Sequence, residues 1–254
     1  MIYSIHKPSP ENNMNRNIDG VGEVTVPSTL KEKLQNFLYH YKWHTLIALL
    51  LVIAMTVCSL QFCTKEEYDA YILYAGSKNI GRTAKDGDVA EIATVISSLK
   101  RITDDFDGNG ETTLNFTNYY YLSADEREGV NDLNEALLAN DRKSINSILE
   151  HSEYYLCFIS KAVYEQYHRV GDDEIFISLT DYKTINPDIE LYADNAILLS
   201  STEASLLPGL STLPDDTLIC IRRPSVLGGK SKEHTAHLEN AKKMLENILS
   251  LNLD

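Results

Sequence analysis

The sequence predicts an α/β domain, a mostly parallel sheet flanked by helices, preceded by one membrane-spanning helix. Three observations carry that expectation. From Trp43 to Thr64 no residue bears a formal charge. Beyond that segment, short apolar runs rich in Tyr, Ile and Leu alternate with stretches whose apolar residues recur every three or four positions. The 254 residues are 43% apolar and 24% charged, enough to bury a core and too apolar for global disorder.

The heart of the uncharged segment is Thr45–Cys63, which as a helix spans roughly 29 Å at ~1.5 Å per residue, close to the hydrocarbon thickness of a bilayer. A buried core helix would carry a polar stripe; here the polar residues are Thr56, Ser59 and Gln61, all near one end. Tyr41 and Trp43 stand where an interfacial aromatic belt belongs. Residues 43–63 are therefore expected to cross the membrane. Lys31, Lys33 and Lys42 precede the span, and Lys65, Glu66, Glu67 and Asp69 follow it. The positive-inside bias puts the N-terminus in the cytoplasm and the C-terminal domain outside the cell. The leader is long and no small-x-small site follows the apolar run. Cys58 and Cys63 follow the bulky Val57 and Phe62, which suits neither a cleaved nor a lipoprotein signal. An uncleaved signal-anchor is the expectation. Residues 1–29, rich in Asn, Pro, Ser and Gly, read as a disordered cytoplasmic tail. Residues 30–42 read as a juxtamembrane amphipathic helix, with Leu30, Leu34, Phe37, Leu38 and Tyr41 at helical spacing and lysines that suit anionic lipid.

Residues 64–254 form the expected extracytoplasmic domain. Tyr68–Ala75 reads as a strand ended by Gly76, and Val89, Ile92, Ala93, Ile96 and Leu99 as the inner face of a helix. Leu114–Leu122 is a second strand, rich in Tyr and Phe. Ser123-Ala-Asp-Glu126 is a capping box, with its helix opening there or a few residues on. Leu133, Leu137, Leu138, Ile145, Ile148 and Leu149 mark one or two helices. Tyr154–Ile159 is apolar enough for a central strand covered on both faces, after which Ser160 caps a helix over Lys161–Arg169. Glu174–Leu179, Asn195–Leu199 and Thr217–Ile221 are further strands. A last helix runs from Lys232 to about Leu249 with Ala241, Met244, Leu245, Ile248 and Leu249 inward. Alternation of this kind implies parallel strands with helices on both sides.

The formal charge is −14, of which residues 64–254 carry −15. That argues against a nucleic-acid partner, whose binding rests on basic residues. Asp105-Phe-Asp107-Gly-Asn109-Gly110-Glu111 is the sharpest local signal. Oxygen ligands at positions 1, 3 and 5 and Gly at 6 match the start of a calcium loop, with Asp105, Asp107, Asn109 and Glu111 as candidate metal residues. Position 12, where a bidentate Glu belongs, is Phe116; the competing reading is an Asp/Asn/Gly turn whose side chains bond their own backbone. His234 and His237 share a helix face without a third ligand and read as a solvated pair. Cys157 and Cys220 read as buried thiols, with a disulfide open only if their strands are neighbours. Gly228-Gly-Lys-Ser231 lacks the first glycine of a phosphate loop, because position 224 is Pro. No hydrolase, zincin or dinucleotide motif is present, and Asp104, Asp105 and Asp107 or Asp172 and Asp173 are too unspecific for an acid/base pair, so no enzyme and no cofactor beyond that calcium are expected. Among 15 tyrosines, Tyr119, Tyr120 and Tyr121 must alternate faces on one strand.

Lys42-Trp-His-Thr-Leu46 entering the apolar helix, the Asp/Asn/Gly loop running into a Tyr-rich strand, and Tyr154-Tyr-Leu-Cys-Phe-Ile-Ser-Lys-Ala-Val-Tyr164 form a familiar pattern. So does Leu213-Pro-Asp-Asp-Thr-Leu-Ile-Cys-Ile-Arg-Arg-Pro224 before a long helix. Together they resemble single-pass membrane proteins of Gram-positive anaerobes. The outer part of those proteins is similar to one lobe of extracellular solute-binding proteins of the ABC-transporter type. The resemblance covers roughly residues 40–250 and implies a recognition domain. A full solute-binding protein has two lobes around a cleft, whereas residues 64–254 suffice for about one. The missing wall then comes from a membrane-protein partner or a second copy, or the lobe recognises a protein outright. The alternative is an accessory subunit of a membrane complex with no ligand.

Overall fold

In a computed structural model, residues 29–63, 68–80, 89–128, 130, 133–170, 173–224 and 232–253 are described. Two units stand apart in the chain, Met1–Glu66 and Glu67–Asp254. The first contributes helix α1 (Leu30–Cys63), whose helical geometry breaks at Tyr41, with φ −112° and ψ 20°. Within it Tyr39–Ser59 is long and apolar enough to cross a membrane, with mean hydropathy 1.7 and none of it buried in the protein. The second unit runs β1 (Ala70–Gly76), α2 (Val89–Lys100), β2 (Leu114–Tyr120), α3 (Ala124–Arg127), α4 (Glu135–His151), β3 (Leu156–Ser160) and α5 (Lys161–Tyr167). There follow β4 (Arg169–Val170), β5 (Asp173–Glu174), β6 (Leu191–Ala193), β7 (Ala196–Leu198), β8 (Thr217–Ile221) and α6 (Lys232–Ser250).

Six strands form one sheet in the order β2-β1-β3-β8-β7-β6. β1 pairs in parallel with both β2 and β3, from Ala70 opposite Leu114 and Ile72 opposite Leu156. The remaining pairings, β3 with β8, β8 with β7 and β7 with β6, are antiparallel. Four strands (β1, β2, β3 and β7) therefore point one way, so the sheet is mostly parallel in direction, and its antiparallel neighbours gather on the β8 side. Connection length accounts for the antiparallel pairing of β6 with β7. Both parallel crossovers contain helices, α2 in one and α3 with α4 in the other, whereas only Asp194 and Asn195 separate β6 from β7.

Each face of the sheet has its own core. Ile72, Tyr74, Leu156, Phe158 and Ile219 pack with Val95 and Leu99 of α2 and with Met244, Leu245 and Ile248 of α6. Leu73, Ala75, Cys157, Ile159, Leu218 and Cys220 pack with Ile145 and Leu149 of α4 and Val163 of α5. The predicted inner face of α6 is buried at all five positions, whereas that of α2 is rotated: Val95 is buried and Ala93 exposed. The capping box at Ser123 closes with Glu126 and opens α3 at once. Ser160 accepts from Val163 N as the cap of α5, which stops at Tyr167 because Arg169–Val170 turns into a two-residue hairpin with β5. The strand expected over Glu174–Leu179 shrinks to that hairpin and one bridge between Phe176 and Arg222.

Arg222 is the largest fully buried side chain. Its guanidinium donates to the carbonyls of Tyr154, Leu149, Arg223 and Ser152, and lies 4.7 Å from the Tyr155 ring centroid. Two of those carbonyls belong to the last turn and end of α4, where a cation satisfies orphan acceptors. Phe158, with 1% exposure, stands at the centre of the α2/α6 core. Phe158→Ala is expected to cost about 3–5 kcal/mol in urea denaturation. Leu206→Ala, at a side chain 64% exposed, should stay within about 0.5 kcal/mol of the parent.

Candidate functional site

The residues expected to bind calcium form a tight turn. Asp105 Oδ1 accepts from the N–H of Gly108 at 2.8 Å and of Asn109 at 3.2 Å, and Oδ2 accepts from Gly110 N at 2.8 Å. Gly108 and Gly110 take φ of 72° and 91°, the left-handed region that such a turn needs. The Gly110 N–H, helped by those of Gly108 and Asn109, holds the Asp105 carboxyl below its ordinary range. Asp107 accepts from the backbone and carboxamide of Asn109, whose own Oδ1 takes the N–H of Glu111.

The structure adds a residue that the loop's sequence could not reveal. Asp69, 1% exposed and just before β1, accepts from Phe106 N and Thr113 N, both at 2.7 Å, from Asp107 N at 3.2 Å, and from the Thr113 hydroxyl. Carboxylate oxygens of Asp69, Asp105 and Asp107 lie within 4.8 Å of one another, a set that could hold a hard divalent cation. Glu111 stands outside that set, and the Asn109 carboxamide is engaged with Asp107 and the Glu111 N–H. All three carboxylates already serve backbone donors, as in the competing turn reading, and exposed acidic clusters form without an ion, so the cluster alone assigns no metal. Its structural role is firm: Asp69 fastens the turn to the start of β1. Asp69→Ala strands buried donors and is expected to lower stability by about 2–4 kcal/mol, more than Asp105→Ala does, in calcium-free denaturant titrations.

A second region lies at the carboxyl ends of the parallel strands. The order β2-β1-β3 places a topological switch point between β1 and β3, where α/β sheets leave a crevice. The Tyr74 ring lies on the α2/α6 face of β1, 1% exposed; the Lys78 backbone N–H approaches its hydroxyl oxygen, but the hydroxyl proton has no acceptor among the described residues. Gly76 makes room for it: a Cβ there would meet the hydroxyl at 2.8 Å. Burial pushes the Tyr74 phenol well above its ordinary value against the opposing pull of the Lys78 backbone N–H, with the carboxylates of Asp216, Glu91 and Glu126 adding to the rise, so it stays protonated and able to donate. Three residues past β1, Asn79 Oδ1 is also buried without a partner among the described residues. Between them Lys78 donates to Thr212 O at 2.7 Å and pairs with Glu91. Across the switch point, Lys161 N donates to Asp216. Buried polar atoms rarely go unpaired, so Tyr74 and Asn79 call for a reason.

The other sequence candidates separate. His234 Nδ1 lies 2.9 Å from the Tyr155 hydroxyl, and His237 packs on Tyr71 with ring centroids 4.6 Å apart and faces Glu153. Both are half-buried and engaged, not the solvated pair expected. Tyr119 and Tyr121 pack on the α4/α5 face, where Arg142 lies over the Tyr121 ring, and Tyr120 points the other way. The 1–28 part of the tail, Asp172 and Gly228-Gly-Lys-Ser231 lie outside the described residues. A shallow depression of about 260 Å³ beside Asn186, Asp188 and Glu203 is smaller than ordinary small-molecule sites.

Cys157 and Cys220 stand directly opposite each other on β3 and β8, both buried and free. The bonds Arg222 N to Tyr155 O and Lys161 N to Asp216 O fix which cross-strand pairs exchange hydrogen bonds, and Cys157/Cys220 falls among them. Such pairs hold their Cα atoms ~5.5 Å apart. Their Cβ atoms are then too distant for the ~3.5–4.5 Å that a disulfide prefers. Burial pushes the Cys157 thiol up to about 12 and Cys220 in the same direction. Both are expected to resist iodoacetamide in the folded protein and to label fully after denaturation without reductant, read by peptide mass.

No protein-family model, curated protein or solved structure matches the chain.

Proposed function

We propose that the chain is a membrane-anchored recognition protein. α1 tethers, N-terminus in the cytoplasm, an extracellular domain akin to one lobe of a solute-binding protein. The apolar helix supports the tether: Thr56 and Ser59 donate to the carbonyls of Val52 and Met55, both at 2.8 Å, so these hydroxyls are satisfied without water. The single observation behind the recognition role is the protonated Tyr74 hydroxyl, whose proton has no acceptor among the described residues, beside the switch point between β1 and β3. A binding group that accepts from Tyr74, and donates to Asn79 Oδ1, would complete both buried atoms. The occupant is a protein partner, or a solute enclosed jointly by this lobe and a partner in the membrane. Tyr74, Asn79 and Lys78 are the residues assigned to that contact, as binding groups.

Tyr74→Phe tests the assignment, because it removes a hydroxyl whose proton finds no acceptor among the described residues. The variant is expected to melt at or above the parent temperature, since an unsatisfied buried group is gone. It should also lose roughly tenfold or more in affinity, the cost of one buried hydrogen bond to a ligand. The readouts are melting shifts with sugars, amino acids and peptides, and co-purification of a partner from detergent-solubilised membranes. Unchanged binding in Tyr74→Phe would refute the site. A stable partner with no solute response would select the protein-recognition form.

A further inference from the structure

We propose that residues 30–41 lie along the cytoplasmic surface of the bilayer and form a contact for anionic lipid headgroups. This rests on the reading of α1 as membrane-spanning. With 34 residues, α1 is about 51 Å long at ~1.5 Å per residue, against a hydrocarbon core of ~30 Å and ~40–45 Å with headgroups. Part of the helix must therefore leave the core, and its geometry breaks at Tyr41, close to the start of the apolar span at Tyr39–Ser59.

Leu30, Leu34, Phe37 and Tyr41 recur at +4, +7 and +11 and share one face of the segment before the break. They are 88%, 60%, 51% and 50% exposed, and the Phe37 and Tyr41 rings stack with centroids 5.1 Å apart. At ~100° per residue, Lys31 and Lys33 fall on the two flanks of that face, where long side chains reach from an apolar contact up to phosphates. Lys42 follows the break, and Glu32 is the one acidic residue from Leu30 to Cys63. This local positive charge sits in a chain of net −14, so the attraction to an anionic surface belongs to this segment and not to the whole protein. The stripe covers fewer than two heptads, too short to hold a second copy as a coiled coil. Continuity with the span and the flanking lysines select the lipid surface as its occupant.

The test is hydrogen–deuterium exchange of the full-length protein in phosphatidylcholine nanodiscs, with and without phosphatidylglycerol. A short solvated helix exchanges fast, because it is marginal alone. Phosphatidylglycerol is expected to slow exchange over 30–41 by about tenfold or more, and high salt to reverse it. Lys31→Gln with Lys33→Gln should abolish most of that difference, at about fivefold in surface affinity for each lysine. Equal exchange in the two lipids, or protection that follows the number of protein copies per disc, overturns the proposal. Residues 45–58 report separately: slow exchange there in every disc upholds the span whatever happens at 30–41, and fast exchange there refutes the membrane-spanning reading itself.

Discussion

Every backbone polar group of β3 must find its partner inside the sheet, because all five of its residues are buried and both its faces are covered. That demand is met by β1 on one edge and β8 on the other. The rest of the domain is arranged around the two solutions. On the β1 side the pairing is parallel and needs helical crossovers, which supply α2 to one face and α4 to the other. On the β8 side it is antiparallel, and the chain reaches β8 by way of α5, the β4–β5 and β6–β7 pairs and 3₁₀ segments. The register that places Cys157 opposite Cys220 also keeps their sulfurs apart, so strand adjacency alone is a poor guide to a disulfide.

Long periodic signals in the sequence translated well into structure. The apolar run of β3, the face of α6, and the caps at Ser123 and Ser160 are local patterns, and local physics decides them. What pattern reading missed depends on distant partners. Ala93 and Val95 differ in burial because α2 packs at an angle that periodicity cannot supply. Glu174–Leu179 has a strand-like composition, but among the described residues its ladder extends no further than the hairpin and the bridge to Arg222. Arg222 itself looks like an ordinary surface cation until the open carbonyls at the end of α4 are brought over it.

The candidate sites divide along the same line. The Asp105 turn was visible because its residues are contiguous, yet its anchor, Asp69, comes from a position 36 residues earlier in the chain and carried no signal of its own. Tyr74 was visible only as one apolar residue in a strand. Its hydroxyl became informative once the sheet order put a switch point beside it and Gly76 left room for the ring. A hydroxyl kept neutral by burial in an acidic neighbourhood offers a proton without a charge, which suits recognition of a polar acceptor better than it suits attraction of an ion.

The position of β8 has a consequence for how the domain is made. It is the penultimate element in the chain, but it lies in the middle of the sheet, joining the β2-β1-β3 half to the β7-β6 hairpin. During synthesis β1, β2 and β3 emerge well before the strand that joins them to the β7-β6 hairpin. One edge of β3 therefore stays unzipped until Thr217–Ile221 has appeared, and α6 must follow to close the apolar floor beneath it. The six-stranded sheet is therefore complete only once β8 is present.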